Sequence, residues 1–90
     1  MNDATPEYAR SARVEVSRVG ERVVLYHRDN GKALVLNPTG TWLWEQLVTS
    51  HTRDQLVAAL RERHAELSAQ QALQDTEAFL RELHEHHAIT

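Results

Sequence analysis

The sequence predicts an α+β domain: three strands in an antiparallel meander followed by three helices, in winged-helix-like proportions. Three observations carry this reading. Polar residues alternate with Val14 and Val16 from Arg13 to Ser17, and two further strand-like runs, Arg22–Arg28 and Ala33–Leu36, flank a hairpin signal at Asp29-Asn30-Gly31. From Leu43 onward the apolar spacing changes to three and four. The change is punctuated by three helix-start signals, at Asn37-Pro38, Thr52-Arg53-Asp54-Gln55 and Ser68-Ala69-Gln70-Gln71.

Residues 1–11 read as a flexible N-terminal arm, because Asn2, Asp3, Thr5, Pro6 and Glu7 offer no apolar period and Tyr8 is the one large anchor. Residues 12–90 then form the folded domain. Val14 and Val16 alternate with Arg13, Glu15 and Ser17 in a first strand, and Val19-Gly20-Glu21 turns the chain. Arg22 to Arg28 makes the second strand and Ala33 to Leu36 the third. With Asn30-Gly31 as the two loop residues of a type I′ turn, Leu25 opposes Leu36, Tyr26 opposes Val35 and His27 opposes Leu34. One face then carries Val23, Leu25, Leu34 and Leu36, the other Val24, Tyr26, Ala33 and Val35. Both are apolar, although helices in a domain this small cover only one of them.

Asn37 is placed to cap the first helix and Pro38 fits its first position, where a missing N–H is harmless. Leu43, Trp44, Leu47 and Val48 form its inward stripe, with Gly40 and Thr41 weakening its first turn and delaying its start. The break Thr49-Ser50-His51 ends it. The capping-box pattern from Thr52 opens a second helix to about His64, with Leu56, Val57 and Leu60 on one face. Ser68 opens a third to about His86, whose wide apolar side carries Ala72, Leu73, Thr76, Phe79, Leu80 and Leu83.

Composition excludes several function classes. At 90 residues, 41% of them hydrophobic, the chain fits one domain with a marginal core and little room for a deep substrate pocket. The chain has no cysteine, so disulfides, thiol catalysis and thiolate metal sites are out. The net charge is -3 and the basic residues are scattered, which argues against a nucleic-acid grip. Met1–Ser11 lacks the basic start and apolar run of a signal peptide, and no stretch is long enough to span a membrane; a soluble cytoplasmic protein is expected.

Catalytic motifs are missing as well. His84-Glu85-His86-His87 is rich in metal-ligand types, but a zincin helix needs its second histidine four residues after the first, where Ala88 stands. A solvated helix end, where histidines suit the negative pole of the macrodipole, is the reading we adopt. No serine sits in a glycine-flanked elbow, and Gly20, Gly31 and Gly40 are isolated, so neither a hydrolytic triad nor a phosphate loop is present. We expect no enzyme, no metal and no cofactor. Trp44 reads as core and Trp42 as partly exposed, with a protein-contact role for Trp42 as the alternative. A winged helix that binds DNA would present Gln70, Gln71, Gln74, Asp75 and Glu77 to phosphates, with Arg81 as its one basic residue.

The feature that calls for a function is the third strand. In a meander it is an edge, and edges are ordinarily blunted with charge or proline. Arg13 and Glu15 guard the first strand, whereas only Lys32 precedes the apolar run Ala33-Leu34-Val35-Leu36. Such an edge is covered by the arm or the last helix, pairs with itself in a dimer, or takes a peptide as an added strand.

The sequence from about Arg13 to Ile89 resembles the PqqD-like family, the peptide chaperones of pyrroloquinoline-quinone biosynthesis and the precursor-recognition elements of ribosomal peptide pathways. The residues that carry the resemblance are Asp29-Asn30-Gly31, Leu36-Asn37, Gly40, Trp44-Glu45, Leu47, Thr52, Asp75, Phe79-Leu80 and Leu83. Trp42 and the His86-His87-Ala88 end, in place of a glycine-containing one, depart from the pattern and bear on the pathway more than on the fold. The resemblance implies that 12–90 is a PqqD-like peptide-recognition domain. It implies a precursor leader peptide bound as an extra strand beside Lys32, Ala33, Leu34, Val35 and Leu36, with Ala72, Asp75, Thr76, Phe79 and Leu83 lining the groove. It also implies a processing enzyme as partner, a lasso-type leader peptidase in preference to a radical enzyme, with the module itself a monomer or dimer.

Overall fold

A computed structural model of the chain describes residues 5–90. Three strands pair antiparallel in the order β2-β3-β4: β2 spans Val14–Val19, β3 Arg22–His27 and β4 Ala33–Val35. A two-stranded ribbon pairs β1 (Glu7–Tyr8) with β5 (His51–Thr52). The helices are α1 (Pro38–Gln46), α2 (Arg53–Arg63) and α3 (Ala69–Glu85). The α+β class, the three-stranded sheet and its three helices are those the sequence predicts; the β1–β5 ribbon is not.

Gly20 takes φ +62° at the first central position of the β2–β3 turn, a conformation that costs a residue with a Cβ far more. The second hairpin differs from expectation. Val24 opposes Val35, Leu25 opposes Leu34 and Tyr26 opposes Ala33, a register two residues from the one a two-residue turn gives. The loop is longer because its polar groups bond locally. Asp29 N–H donates to His27 Nδ1 at 3.1 Å, Lys32 N–H to Asn30 Oδ1 at 2.9 Å, and Gly31 N–H to His27 O at 2.9 Å. An even slip leaves every side chain on its predicted face. Val23, Leu25 and Leu36 are buried and Leu34 is half-buried, while Tyr26, Ala33 and Val35 are exposed on the other face.

The inner face meets the helices. Asn37 caps α1 by accepting from Gly40 N–H at 2.7 Å, so the helix begins at Pro38 with no delay. Leu43, Trp44 and Leu47 point inward. Val48 does not: the helix stops at Gln46, and Val48 is exposed in the following turn. Thr52 and Gln55 form the reciprocal capping box of α2, which buries Leu56 and Leu60. Ser68 caps α3, which buries Ala72, Thr76, Phe79, Leu80 and Leu83. Trp42 is half-buried beneath the Arg63 guanidinium, 5.1 Å from the ring centroid.

The composition-based arm needs correction over its described part. Glu7 and Tyr8 pair with Thr52 and His51, Arg10 bridges to Ile89, and Ser11 N–H donates to Ala88 O at 2.8 Å. The Arg10 guanidinium donates to Trp44 O at 2.7 Å and lies 4.6 Å from the Trp44 ring centroid. Burial holds its pKa below the usual arginine value, partly offset by the Glu45 carboxylate. Residues 1–4 of the expected arm lie outside the described residues. Among the described residues, the segment lies on β5 and on the C-terminal turn and does not cover β4.

Candidate functional site

The open edge of β4 and the α3 side chains beside it form the candidate site. Which backbone groups are free follows from ladder geometry. Leu36 N–H donates to Val23 O and His27 N–H to Lys32 O, both at 2.9 Å. Hydrogen-bonded and non-bonded pairs alternate in an antiparallel ladder, so Leu25 and Leu34 bond each other between these two. Ala33 and Val35 fall on the alternate positions, and their N–H and C=O groups point away from β3 to the open side. Thr41 closes one end of the ladder: its hydroxyl accepts from Val23 N–H at 3.1 Å and donates to Leu36 O at 3.4 Å.

Two shallow depressions run along this edge, and Glu82 belongs to both. One is lined by Asn37, Thr39, Gly40, Asp75, Ala78, Phe79 and Glu82. The second is lined by Leu34, Glu82, Glu85 and His86. The start of α1 that follows β4 thus faces the middle of α3, from Asp75 to Glu82, and Leu34 faces its C-terminal end. A Cβ at Gly40 would sit 3.1 Å from Asn37 Oδ1, the oxygen that caps α1, and 3.5 Å from Phe79 Cδ1, an ordinary contact. Asp75 accepts from Gln71 Nε2 at 2.8 Å.

The expected site residues divide. Ala33 and Val35 offer free backbone groups, Leu34 offers its side chain, and Asp75 and Phe79 line the groove, with Lys32 exposed at its far end. Leu36, Ala72, Thr76 and Leu83 are corrected: all are at most 1% exposed and belong to the core. They sit on the helix and strand positions turned toward α1 and α2, which the width of the α3 apolar stripe concealed. The groove lining that sequence reasoning missed is Asn37, Thr39, Gly40, Ala78, Glu82, Glu85 and His86. Placing Ala78, Glu82 and Glu85 with Asp75 at spacings of three, seven and ten was within reach of helical phase.

The C-terminal histidines do not converge. His86 Nε2 donates to Leu25 O at 3.2 Å, His87 adopts φ +57°, and their rings meet that of buried His27 edge-on with centroids 6.1 and 6.2 Å away. Among the described residues no group of three or more His, Asp or Glu side chains is arranged to hold a metal ion, and no helix is long and apolar enough to cross a membrane.

An antiparallel sheet with an open edge, flanked by the last of three helices, defines a class of small α+β modules. The chain belongs to the PqqD family, described as Coenzyme PQQ synthesis protein D, which it matches over residues 22–89. Two solved structures share the fold. "TbiB1 in Complex with the TbiA(beta) Leader Peptide" is 22% identical, with a TM-score of 0.80 over 90% of this chain and 93% of that one. "Lasso peptide synthetase B1 complexed with the leader peptide" is 19% identical, with a TM-score of 0.78 over 92% of this chain and 96% of that one. No curated protein matches the chain.

Proposed function

We propose that this protein is a non-catalytic module that captures the leader segment of a ribosomally made precursor peptide and presents it to a processing enzyme. The observation that carries the reading is the β4 edge. Ala33 and Val35 aim unpaired backbone groups along a groove floored by Phe79 and Gly40. An extended peptide satisfies those groups as a fourth strand, and alternate side chains drop toward α3. The family assignment and the two structural neighbours, each titled as a leader-peptide complex, support the same reading. The neighbour named a lasso peptide synthetase B1 supports a lasso-type leader peptidase as the partner enzyme in preference to a radical enzyme. The chemistry then belongs to that partner, acting in the cytoplasm where the precursor is made, and residues 12–90 serve as the recognition domain.

The test is a fluorescence-anisotropy titration with leader peptides encoded beside this gene, followed by amide hydrogen exchange on the complex. Saturable binding that slows exchange at Ala33 and Val35, with Leu34 already slow in the free protein, is expected. Saturable binding without new protection at Ala33 and Val35 refutes strand addition, and no binding to any neighbouring leader refutes the reading.

A further inference from the structure

The groove has a sign. Its helix wall carries Asp75, Glu82 and Glu85, and no Lys or Arg lines either depression. None of the three forms an ion pair among the described residues; the acidic partners of Arg13, Arg18, Arg28 and Arg53 all lie elsewhere. Asp75 is half-buried, with its one recorded hydrogen bond coming from Gln71. Lys32 stands beyond Leu34 and reverses the sign at that end. Three carboxylates beside an apolar floor are poorly matched to an acidic occupant, since juxtaposed like charges oppose association across an interface.

We infer that the segment captured on β4 is basic, with Lys or Arg at two helix-facing positions four residues apart and an apolar residue midway between them. This rests on the leader-binding reading, and the carboxylates serve only to specify the chemistry of an occupant that the open edge and groove already call for. The spacing follows from the geometry. A strand paired with β4 turns every second side chain inward, on the face that holds Leu34 and Leu36. The residue opposite Leu34 reaches Glu82 and Glu85, the next inward one meets Phe79, and the one after that reaches Asp75 beside Asn37. Four strand residues span ~13.6 Å at ~3.4 Å each. The stretch of α3 from Asp75 to Glu82 rises ~10.5 Å and that to Glu85 ~15 Å, at ~1.5 Å per residue, so the two repeats match.

The experiment titrates the wild-type chain and the D75N/E82Q/E85Q variant with two fluorescein-labelled peptides, at low and high salt. One peptide is the leader encoded beside this gene; the other is the same leader with its Lys and Arg residues replaced by Gln. The substitutions are near-isosteric, and thermal unfolding checks that the variant is folded. Binding of the native leader is expected to weaken roughly three- to tenfold in the variant, on stripping the peptide, or on raising salt, with no further loss when these are combined. Equal affinity of wild type for the native and stripped leaders, or an unweakened variant, overturns the charge inference while leaving the leader reading intact. A bound leader with no Lys or Arg overturns it too. Failure of the wild-type chain to bind either peptide at any salt overturns the leader reading itself, and this inference with it.

Discussion

Proline at position 35 separates backbone capture from side-chain capture. Val35 N–H points to the open edge and makes no bond within the sheet, and the side chain is 55% exposed on the outer face. Val35→Pro therefore removes a donor that only an added strand uses. Edge strands tolerate proline, and Leu34 already has the extended backbone that a residue before proline requires, so the expected stability loss is about 1 kcal/mol. In the complex the loss is one net hydrogen bond plus a peptide carbonyl left unpaired at a partly buried edge, together ~1.5–3 kcal/mol, or roughly 10- to 100-fold in Kd. Val35→Thr keeps the N–H and the strand preference and is expected to bind within about twofold of wild type. Leu34→Pro is a poor probe by comparison, because its N–H belongs to the ladder with Leu25 and its loss unfolds the hairpin. The assay is leader anisotropy on variants whose folding is verified by circular dichroism. A folded Val35→Pro variant that binds like wild type, or a Val35→Thr variant that loses as much, refutes the argument.

Three further outcomes are expected. Ala78 is exposed on α3 and lines the groove, so Ala78→Leu is expected to leave stability within about 0.5 kcal/mol but to weaken leader binding by ~1–3 kcal/mol through overfilling; urea unfolding and anisotropy read the two effects separately. His87 holds φ +57° where α3 ends, with Ala88 N–H donating to Leu83 O and His87 N–H to His84 O, a Schellman closure that favours glycine. His87→Gly is expected to stabilise the chain by about 1 kcal/mol and raise Tm by ~4–8 °C, read by thermal unfolding. The hydrogen bond from Arg13 holds the Asp29 carboxyl below its usual pKa, so its contribution is fully present above the ordinary carboxylate range and is lost as pH falls through the lowered value. The stability gap between wild type and Asp29→Asn, measured by urea unfolding along a pH series, is expected to shrink on acidification and to stay flat from neutrality upward.

Period and caps made most of the fold legible. Asn37, Thr52 and Ser68 cap as read, because each satisfies N–H groups that no other neighbour reaches. The hairpin register was not legible, since Asp29, Asn30 and His27 compete for backbone groups in ways that Asn-Gly alone does not reveal. The β1–β5 ribbon and the Arg10–Ile89 bridge leave no trace in the sequence, because pairings of one or two residues across most of the chain have no period. For the site, the unguarded edge was readable from composition. The split of α3 between core and groove was legible only in part: helical phase groups Ala78, Glu82 and Glu85 with Asp75, but which row lines the groove and which enters the core is set by how the helices and sheet pack.

The same arrangement could serve a nucleic acid if its charges were reversed, and the charges decide against that use. Asp75, Glu77, Glu82 and Glu85 would face phosphates with Arg81 as the one Lys or Arg of α3, a field that repels a duplex at every salt that leaves it unscreened. The acidic wall also bears on self-pairing. Backbone bonds along Ala33 and Val35 would accept any extended chain, including β4 of a second copy. Two-fold pairing of β4 with itself sets the Asp75, Glu82 and Glu85 rows of both copies along one seam, where like charges oppose. A basic leader relieves that repulsion and a second copy doubles it. The carboxylates thereby do for this edge what lysine or proline does for an ordinary one, blocking the wrong strand while leaving the backbone free for the right one.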